Sequence, residues 1–262
     1  MFVTIITDCR DANTTGRQAT RLATLFPQTQ ITMAGIADFT EIEAAGNLID
    51  MLDASEGEEG VILVNSAPRQ KKKWPNGTPF GYFWYKKTLV VATIDGLALS
   101  LAKKLGLATE ILVTDIPTVT ESLVKKRIII PDLAHQLVHT QFRSFDYMPR
   151  LAKWVMDGIS IPSKVYNFTE VEDIGKSIWW IDNFGNAKTT VLPEEIGFEA
   201  GKKIMTKIGE LTCYTRMKDV AVGTPAIIVG SSGVEGKRFV EIIVLGQRAS
   251  DTFNLHVGQE IF

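Results

Sequence analysis

The densest run of groups able to do chemistry is Ile181-Asp182-Asn183-Phe184-Gly185-Asn186, where a carboxylate, an aromatic face, a glycine and an amide fall within six positions. The Asn186 amide can pair with an adenine edge, the Phe184 ring can stack on the base, and Gly185 permits close approach to the backbone. The same spacing fits a β-turn in which Asp182 and Asn186 satisfy local backbone groups, and spacing alone favours the turn. Both readings stay open at this point.

Other candidate groups are sparse. The three histidines are dispersed, and His135 and His139, one helical turn apart, have no third ligand beside them, so no metal site is expected. Cys9 and Cys213 match no metal or redox spacing, which points to a reducing compartment without a structural disulfide. No GxGxxG, P-loop, HExxH, GxSxG or CxxC motif is present. Arg69 to Lys73, Trp74 and the group Phe80, Tyr82, Phe83, Trp84, Tyr85, Lys86, Lys87 mix cations with stacking surfaces, as a single-strand binder would. A formal charge of −2 gives no general attraction to phosphate, so a long solvated loop covering a pocket or subunit interface is the better reading. Nucleic acid is not an expected partner.

These residues need elements to position them. Phe2 to Thr7 is a β-branched run ended by Asp8-Cys9-Arg10-Asp11, and Thr15 to Leu25 has helical spacing. Gln30 to Met33 is a second strand, and Thr40-Glu41-Ile42-Glu43 reads as a capping box opening a helix through Leu52. Gly60 to Val64, Thr88 to Thr93 and Glu110 to Thr114 read as strands and Leu97 to Leu105 as a helix. Such alternation predicts an α/β domain with a mainly parallel sheet, whose strand ends carry Asp8 and Asn65.

A helical stretch from Pro131 to Met156 ends at Gly158-Ile159-Ser160-Ile161-Pro162, and from Gly175 onward short β-rich segments are separated by glycines. The expected division is therefore an N-terminal α/β domain, 1–161, and a C-terminal β domain, 162–262, forming an antiparallel barrel or sandwich. Strands are expected at Ile178 to Ile181, Ala187 to Val191, Lys203 to Ile208, Leu211 to Arg216, Ala226 to Val229 and Phe239 to Leu245. Hydrophobic residues at 45% and charged residues at 22% exclude disordered, collagenous and disulfide-scaffold classes. No basic leader or run of about 20 apolar residues is seen, and a cytoplasmic protein with no membrane partner is expected.

Ile181 to Asn186, followed by Ala187-Lys188-Thr189-Thr190, resembles the signature opening the second domain of the S-adenosylmethionine hydroxide adenosyltransferase and fluorinase-chlorinase family. Thr7-Asp8, Asp95-Gly96-Leu97 and Gly230-Ser231-Ser232-Gly233 with Val240-Glu241-Ile242 resemble further family segments in the same order. The resemblance implies a homotrimer with adenosyl-ligand sites between subunits and S-adenosylmethionine as substrate or ligand, with no cofactor or metal. It assigns Asp8 to the ribose hydroxyls, Asp182 and Ser231 to the methionine part, and Phe184 and Asn186 to the adenine, with Tyr214 and Ala249 as weaker additions.

The family reaction is displacement at the ribose C5′ carbon, methionine leaving and hydroxide or halide attacking. Hydrolytic members place an aspartate, an arginine and a histidine near the attacking water, and here those positions align with Asn65, with Lys72 (or Arg69), and with Phe142. A neutral amide, a point-charge cation and a phenyl ring do not reproduce that chemistry. His139 lies three positions before Phe142 as a possible substitute, and the halogenating constellation is not matched, Ser144 being out of register. The expectation is adenosyl-ligand binding, with hydrolysis to adenosine and methionine as its reaction, against a non-catalytic trimeric binding protein.

Overall fold

The computed structural model describes residues 1–66 and 78–262. The chain forms two compact units, Met1–Glu172 and Asp173–Phe262. In the first, β1 (Phe2–Thr7), α1 (Ala12–Leu25), β2 (Gln30–Gly35), α2 (Glu41–Ser55) and β3 (Gly60–Asn65) alternate as the sequence predicts. They are followed by a pair of strands, β4 (Phe80–Tyr85) and β5 (Thr88–Thr93), then α3 (Ser100–Leu105), β6 (Glu110–Val113) and α4 (Ile116–Lys125). The unit is completed by α5 (Pro131–His139), α6 (Arg143–Asp146), α7 (Met148–Met156) and β7 (Lys164–Asn167).

The strands form one sheet of order β2-β1-β3-β5-β4-β6-β7. β2, β1, β3 and β5 are parallel, in register from Phe2 beside Gln30 and Gly60, whereas β4 turns back on β5 and the rest is antiparallel. Leu22 of α1 and Phe26 at its C-terminal cap, Leu123 of α4 and Leu151 of α7 pack with Val3, Ile5, Leu63 and Val91 in one core cluster. Helices α1 and α4 start where side chains satisfy orphan backbone donors: Asp11 accepts from the Thr14 N–H at 3.0 Å, and Asp115 from Thr118 at 3.1 Å.

Three expectations change. The group Phe80 to Tyr85 is not a solvated loop but strand β4, with Phe80, Tyr82, Phe83 and Tyr85 buried and only Trp84, at 44%, exposed. Paired with β5 and β6, it spends its rings on the core and leaves no row of them to stack on bases. The capping box at Thr40 does not close, because the Glu43 carboxylate accepts from the Ala37 N–H at 2.7 Å and Thr40 gives its own hydroxyl to the Ala37 carbonyl. The helix predicted from Leu97 begins at Ser100, its entry being held instead by Glu41, which accepts the Leu97 N–H at 2.7 Å. Residues Arg69, Lys71, Lys72, Lys73 and Trp74 lie outside the described residues.

The expected division at 161/162 precedes β7, which pairs with β6. The second unit contains β8 (Ile178–Ile181), β9 (Ala187–Thr189), β10 (Lys203–Thr206), β11 (Gly209–Tyr214), β12 (Pro225–Val234), β13 (Lys237–Val244) and a short α8 (Ala249–Phe253). Their order is β10-β11-β12-β13-β9-β8, antiparallel except for the β11–β12 pair. The last residues close this sheet on itself: Ile178 donates to Gln259 at 2.9 Å and Lys207, just beyond β10, donates to Ile261 at 3.0 Å. Edge backbone groups that would otherwise face water are thus paired, as in a small barrel. Ile178, Val191, Ile227, Val240 and Ile242 fill its interior. Among the described residues no helix is long and apolar enough to cross a membrane.

Candidate functional site

In the C-terminal unit the residues between β8 and β9 form a tight turn. Asp182 Oδ1 accepts the backbone N–H groups of Phe184 and Asn186, each at 2.9 Å, and its Oδ2 accepts the Asn186 side-chain amide at 3.0 Å. Gly185 sits at φ +82°, and a Cβ there would lie 2.8 Å from Arg248 Cα. Arg248 in turn donates to the Asn183 carbonyl at 2.7 Å, and the Ser250 N–H donates to the Gly185 carbonyl at 2.9 Å, so the entry to α8 braces the turn. Locally satisfied and braced, the turn projects the Phe184 ring outward, 68% exposed.

This turn forms one wall of a cavity of about 1060 Å³, whose lining includes Asp182, Phe184, Asn186 and Ser231. Three residues of one turn therefore meet Ser231, more than forty positions further along the chain, at one place. Tyr214 and Ala249 do not reach the lining: Tyr214 packs on Val220, Ala226, Ile228 and Ile243, and Ala249, the first residue of α8, is buried in the barrel core. Their chain neighbours Thr215 and Arg248 form the wall in their place.

Two charged groups in the lining, Lys188 and Glu241, stand in the segments that carry the resemblance but were assigned no role there. They are direct cross-strand neighbours on β9 and β13. Glu241 is buried and accepts the Ser231 N–H at 3.1 Å, and Lys188 donates to the Ser232 hydroxyl at 2.8 Å. For Glu241 a charge inside the apolar run Phe239 to Val244 was the available signal, since burying a charge is tolerated only with partners or a function. Trp180, Gln247 and Arg216 are further lining residues that the motif did not mark.

In the N-terminal unit the parallel register brings the ends of β1 and β3 level, Thr7 beside Asn65. Asn65, only 5% exposed, donates its amide to the Thr7 hydroxyl at 3.0 Å, and the same hydroxyl accepts the Cys9 N–H at 3.1 Å. Asp8 follows on the strand end and lines a cavity of about 670 Å³ with Cys9, Arg10, Asp11 and Phe39. Burial, and then the Asp8 charge beside it, push the Cys9 thiol up from its ordinary pKa. Along the neighbouring strand ends several buried atoms, Ser66 Oγ, Thr93 Oγ1 and Asp95 Oδ2, have no hydrogen-bond partner among the described residues.

The remaining sequence candidates fall elsewhere in this unit. Phe142 caps the start of α6, its N–H donating to Thr140 at 3.0 Å, while its ring stacks on Phe145 at 5.4 Å and lies 5.3 Å from the Arg17 guanidinium. His139 leans on His135, ring centres 4.4 Å apart, and among the described residues no three ligating groups gather as a metal site. Lys72 lies outside the described residues.

Fold and cavity define a two-unit α/β protein whose C-terminal β-barrel presents an aromatic, amide and carboxylate turn to a pocket. Residues 176–262 match the family described as the SAM hydroxide adenosyltransferase C-terminal domain. That match spans nearly all of the C-terminal unit, which is thus similar to that domain family. Among solved structures the chain is similar to an uncharacterized conserved protein from Thermotoga maritima, at TM-score 0.70 and 17% identity, over 99% of this chain and 98% of that one. It is also similar to a conserved hypothetical protein from Thermus thermophilus, at TM-score 0.61 and 16% identity, over 100% of this chain and 99% of the other. At such identities the likeness is one of fold. No curated protein matches the sequence.

Proposed function

We propose that this protein binds an adenosyl ligand, S-adenosylmethionine or adenosine, without a metal or organic cofactor. The observation that carries the reading is the meeting of Asp182, Phe184, Asn186 and Ser231 on one cavity. The exposed Phe184 ring offers a stacking face for adenine. Asn186 spends its NH2 on Asp182, and its Oδ1 accepts no hydrogen bond among the described residues, which suits the adenine amino group. Lys188 and Glu241 supply the opposite charges that the carboxylate and ammonium of a methionine part would meet. Asp8 is the proposed partner of the ribose hydroxyls, and the proposed assembly is a homotrimer.

A second reading, slow hydrolysis, has its own support. Asp95 Oδ2 is buried at a strand end without a hydrogen-bond partner among the described residues, a carboxylate able to orient water although Asn65 is neutral. Water oxygen would bond to C5′ as the C5′–S bond breaks, its electron pair passing to the methionine sulfur and the spare proton to the carboxylate or to solvent.

The test is incubation with S-adenosylmethionine, with adenosine and methionine followed by chromatography and binding by calorimetry, alongside Asp8→Ala and Phe184→Ala. Saturable binding weakened in both variants is the expected result, and absence of binding by either ligand to the native chain overturns the reading. Adenosine release above the Asp8→Ala level supports hydrolysis, while binding without release leaves a binding protein. Sedimentation at the mass of three 29.0 kDa chains is expected, and a monomer sinks the trimer.

A further inference from the structure

A second cavity, of about 780 Å³, lies between α1 and the segment carrying α6 and α7, and adenosyl binding leaves it unused. Its charge is one-sided. Arg17, Arg21 and Arg150 all line it. Arg17 and Arg21 place their guanidinium carbons 4.5 and 4.3 Å from the centre of the Phe145 ring. The facing acid is Asp146, 3.7 Å from Arg21 Nη1, which exceeds hydrogen-bond reach. Its other oxygen already accepts the Thr140 hydroxyl.

The donors are correspondingly unspent. Arg21 Nη1 is buried yet has no hydrogen-bond partner among the described residues, and Arg17 makes no ion pair among them. Arg150 gives Nη1 to the Asp146 carbonyl at 2.6 Å. Burial, and then the Arg21 charge beside it, hold the Arg150 guanidinium below its usual pKa, with Asp146 opposing them. Gly16 keeps the floor open, since a Cβ there would meet nothing within 4 Å, and Asn13 and Thr20 add neutral polar groups to the wall. Two guanidinium groups held against one aromatic ring are pre-oriented forks, a geometry that suits the multiple oxygens of a phosphoryl group better than a single point charge.

We propose that this cavity binds a phosphate-bearing small molecule, with Arg17, Arg21 and Arg150 as its donors. The bound phosphate supplies the negative charge that Asp146 alone does not, and takes up the free Arg21 donor. Inorganic phosphate and a nucleoside monophosphate share this chemistry, and comparing them separates a bare anion site from one that also reads the rest of the molecule.

The experiment is calorimetry on the full chain at fixed ionic strength with inorganic phosphate, adenosine monophosphate and adenosine, using Arg17→Gln, Arg21→Gln and, as control, Lys125→Gln on exposed α4. Expected is saturable phosphate binding in the millimolar range or tighter, weakened roughly tenfold or more in Arg17→Gln and Arg21→Gln and unchanged in the control. Tighter binding of the monophosphate that remains arginine-dependent assigns a nucleotide, and equal binding assigns the anion alone. Arg17 is exposed, so its variant carries the test even if Arg21→Gln unfolds. No saturable phosphate binding, or phosphate binding that survives both arginine changes, overturns the proposal. So does monophosphate binding that survives them but is lost in Phe184→Ala, because that ligand then occupies the adenosyl cavity.

Discussion

Asn186 donates its side-chain amide to Asp182 Oδ2 at 3.0 Å, so two residues that resemblance assigns to opposite ends of a ligand are bonded to each other. The carboxylate is the keystone of the turn, since its other oxygen holds two backbone N–H groups. Asp182→Ala should therefore lose adenosyl binding and also destabilise the fold by about 1–2 kcal/mol, because three donors lose their acceptor at a partly solvated site. Asp182→Asn, which keeps an acceptor, should lose less in a urea melt.

Phe184→Ala separates binding from folding. A ring 68% exposed contributes little to the core, so the melting curve should stay within about 0.5 kcal/mol of native. Adenosine affinity, read by calorimetry, should fall roughly tenfold with the loss of the stacking face. An unchanged affinity would remove Phe184 from the site.

Gly185→Ala tests the brace. The residue must hold φ +82°, and the added carbon would meet Arg248 Cα at 2.8 Å, where backbone cannot yield cheaply. A left-handed penalty of about 1–2 kcal/mol plus the overlap should lower the stability read from a denaturant melt by at least about 2 kcal/mol. Ligand affinity should drop with it, since the turn and the entry to α8 move together.

Asn65→Asp restores a carboxylate at the strand end. The substitution removes the amide donation to Thr7 in a site that is 5% exposed, at a stability cost of about 1–2 kcal/mol. Adenosine release from S-adenosylmethionine should rise above the native level. A stable variant with no added release would show that the neutral amide is not what limits hydrolysis.

Cys9 reports on Asp8 through its reactivity. A raised thiol pKa means less thiolate at any given pH, so alkylation by iodoacetamide at pH 8, followed by mass spectrometry, should run slower than for a free thiol. Burial remains in Asp8→Asn but the neighbouring charge is gone, which lowers the pKa and should speed the reaction. Equal rates in the two proteins would place Asp8 too far away to act on the thiol.

Much of the architecture was legible in the sequence because it depends on local periodicity. The runs Phe2 to Thr7 and Gly60 to Val64 are β-branched or apolar throughout, as central parallel strands require, and both became central strands. The C-terminal strands from Ile178 to Val244 were likewise marked by short runs between turn residues. The aromatic run Phe80 to Tyr85 misled, because a strand buried on both faces has no alternation to distinguish it from an aromatic loop. The capping box at Thr40 failed for a related reason: the nearby Ala37 N–H competed for Glu43, and only the path of the chain decides which donor is nearer.

The site divides in the same way. Residue types marked Asp182, Phe184 and Asn186 and left open whether Asp182 served a turn or a ligand, and Ser231 was added only by the family resemblance. Tertiary structure showed that it closes the turn, that the exposed ring and Ser231 share a cavity, and that Lys188 and Glu241 join them. It alone gathered Arg17, Arg21 and Arg150 around one aromatic ring. Sequence carries the chemistry of each group and its neighbours along the chain. Which distant groups share a cavity, and which donors remain unspent, is set by strand register and helix packing, contacts between residues far apart in sequence that no local pattern encodes.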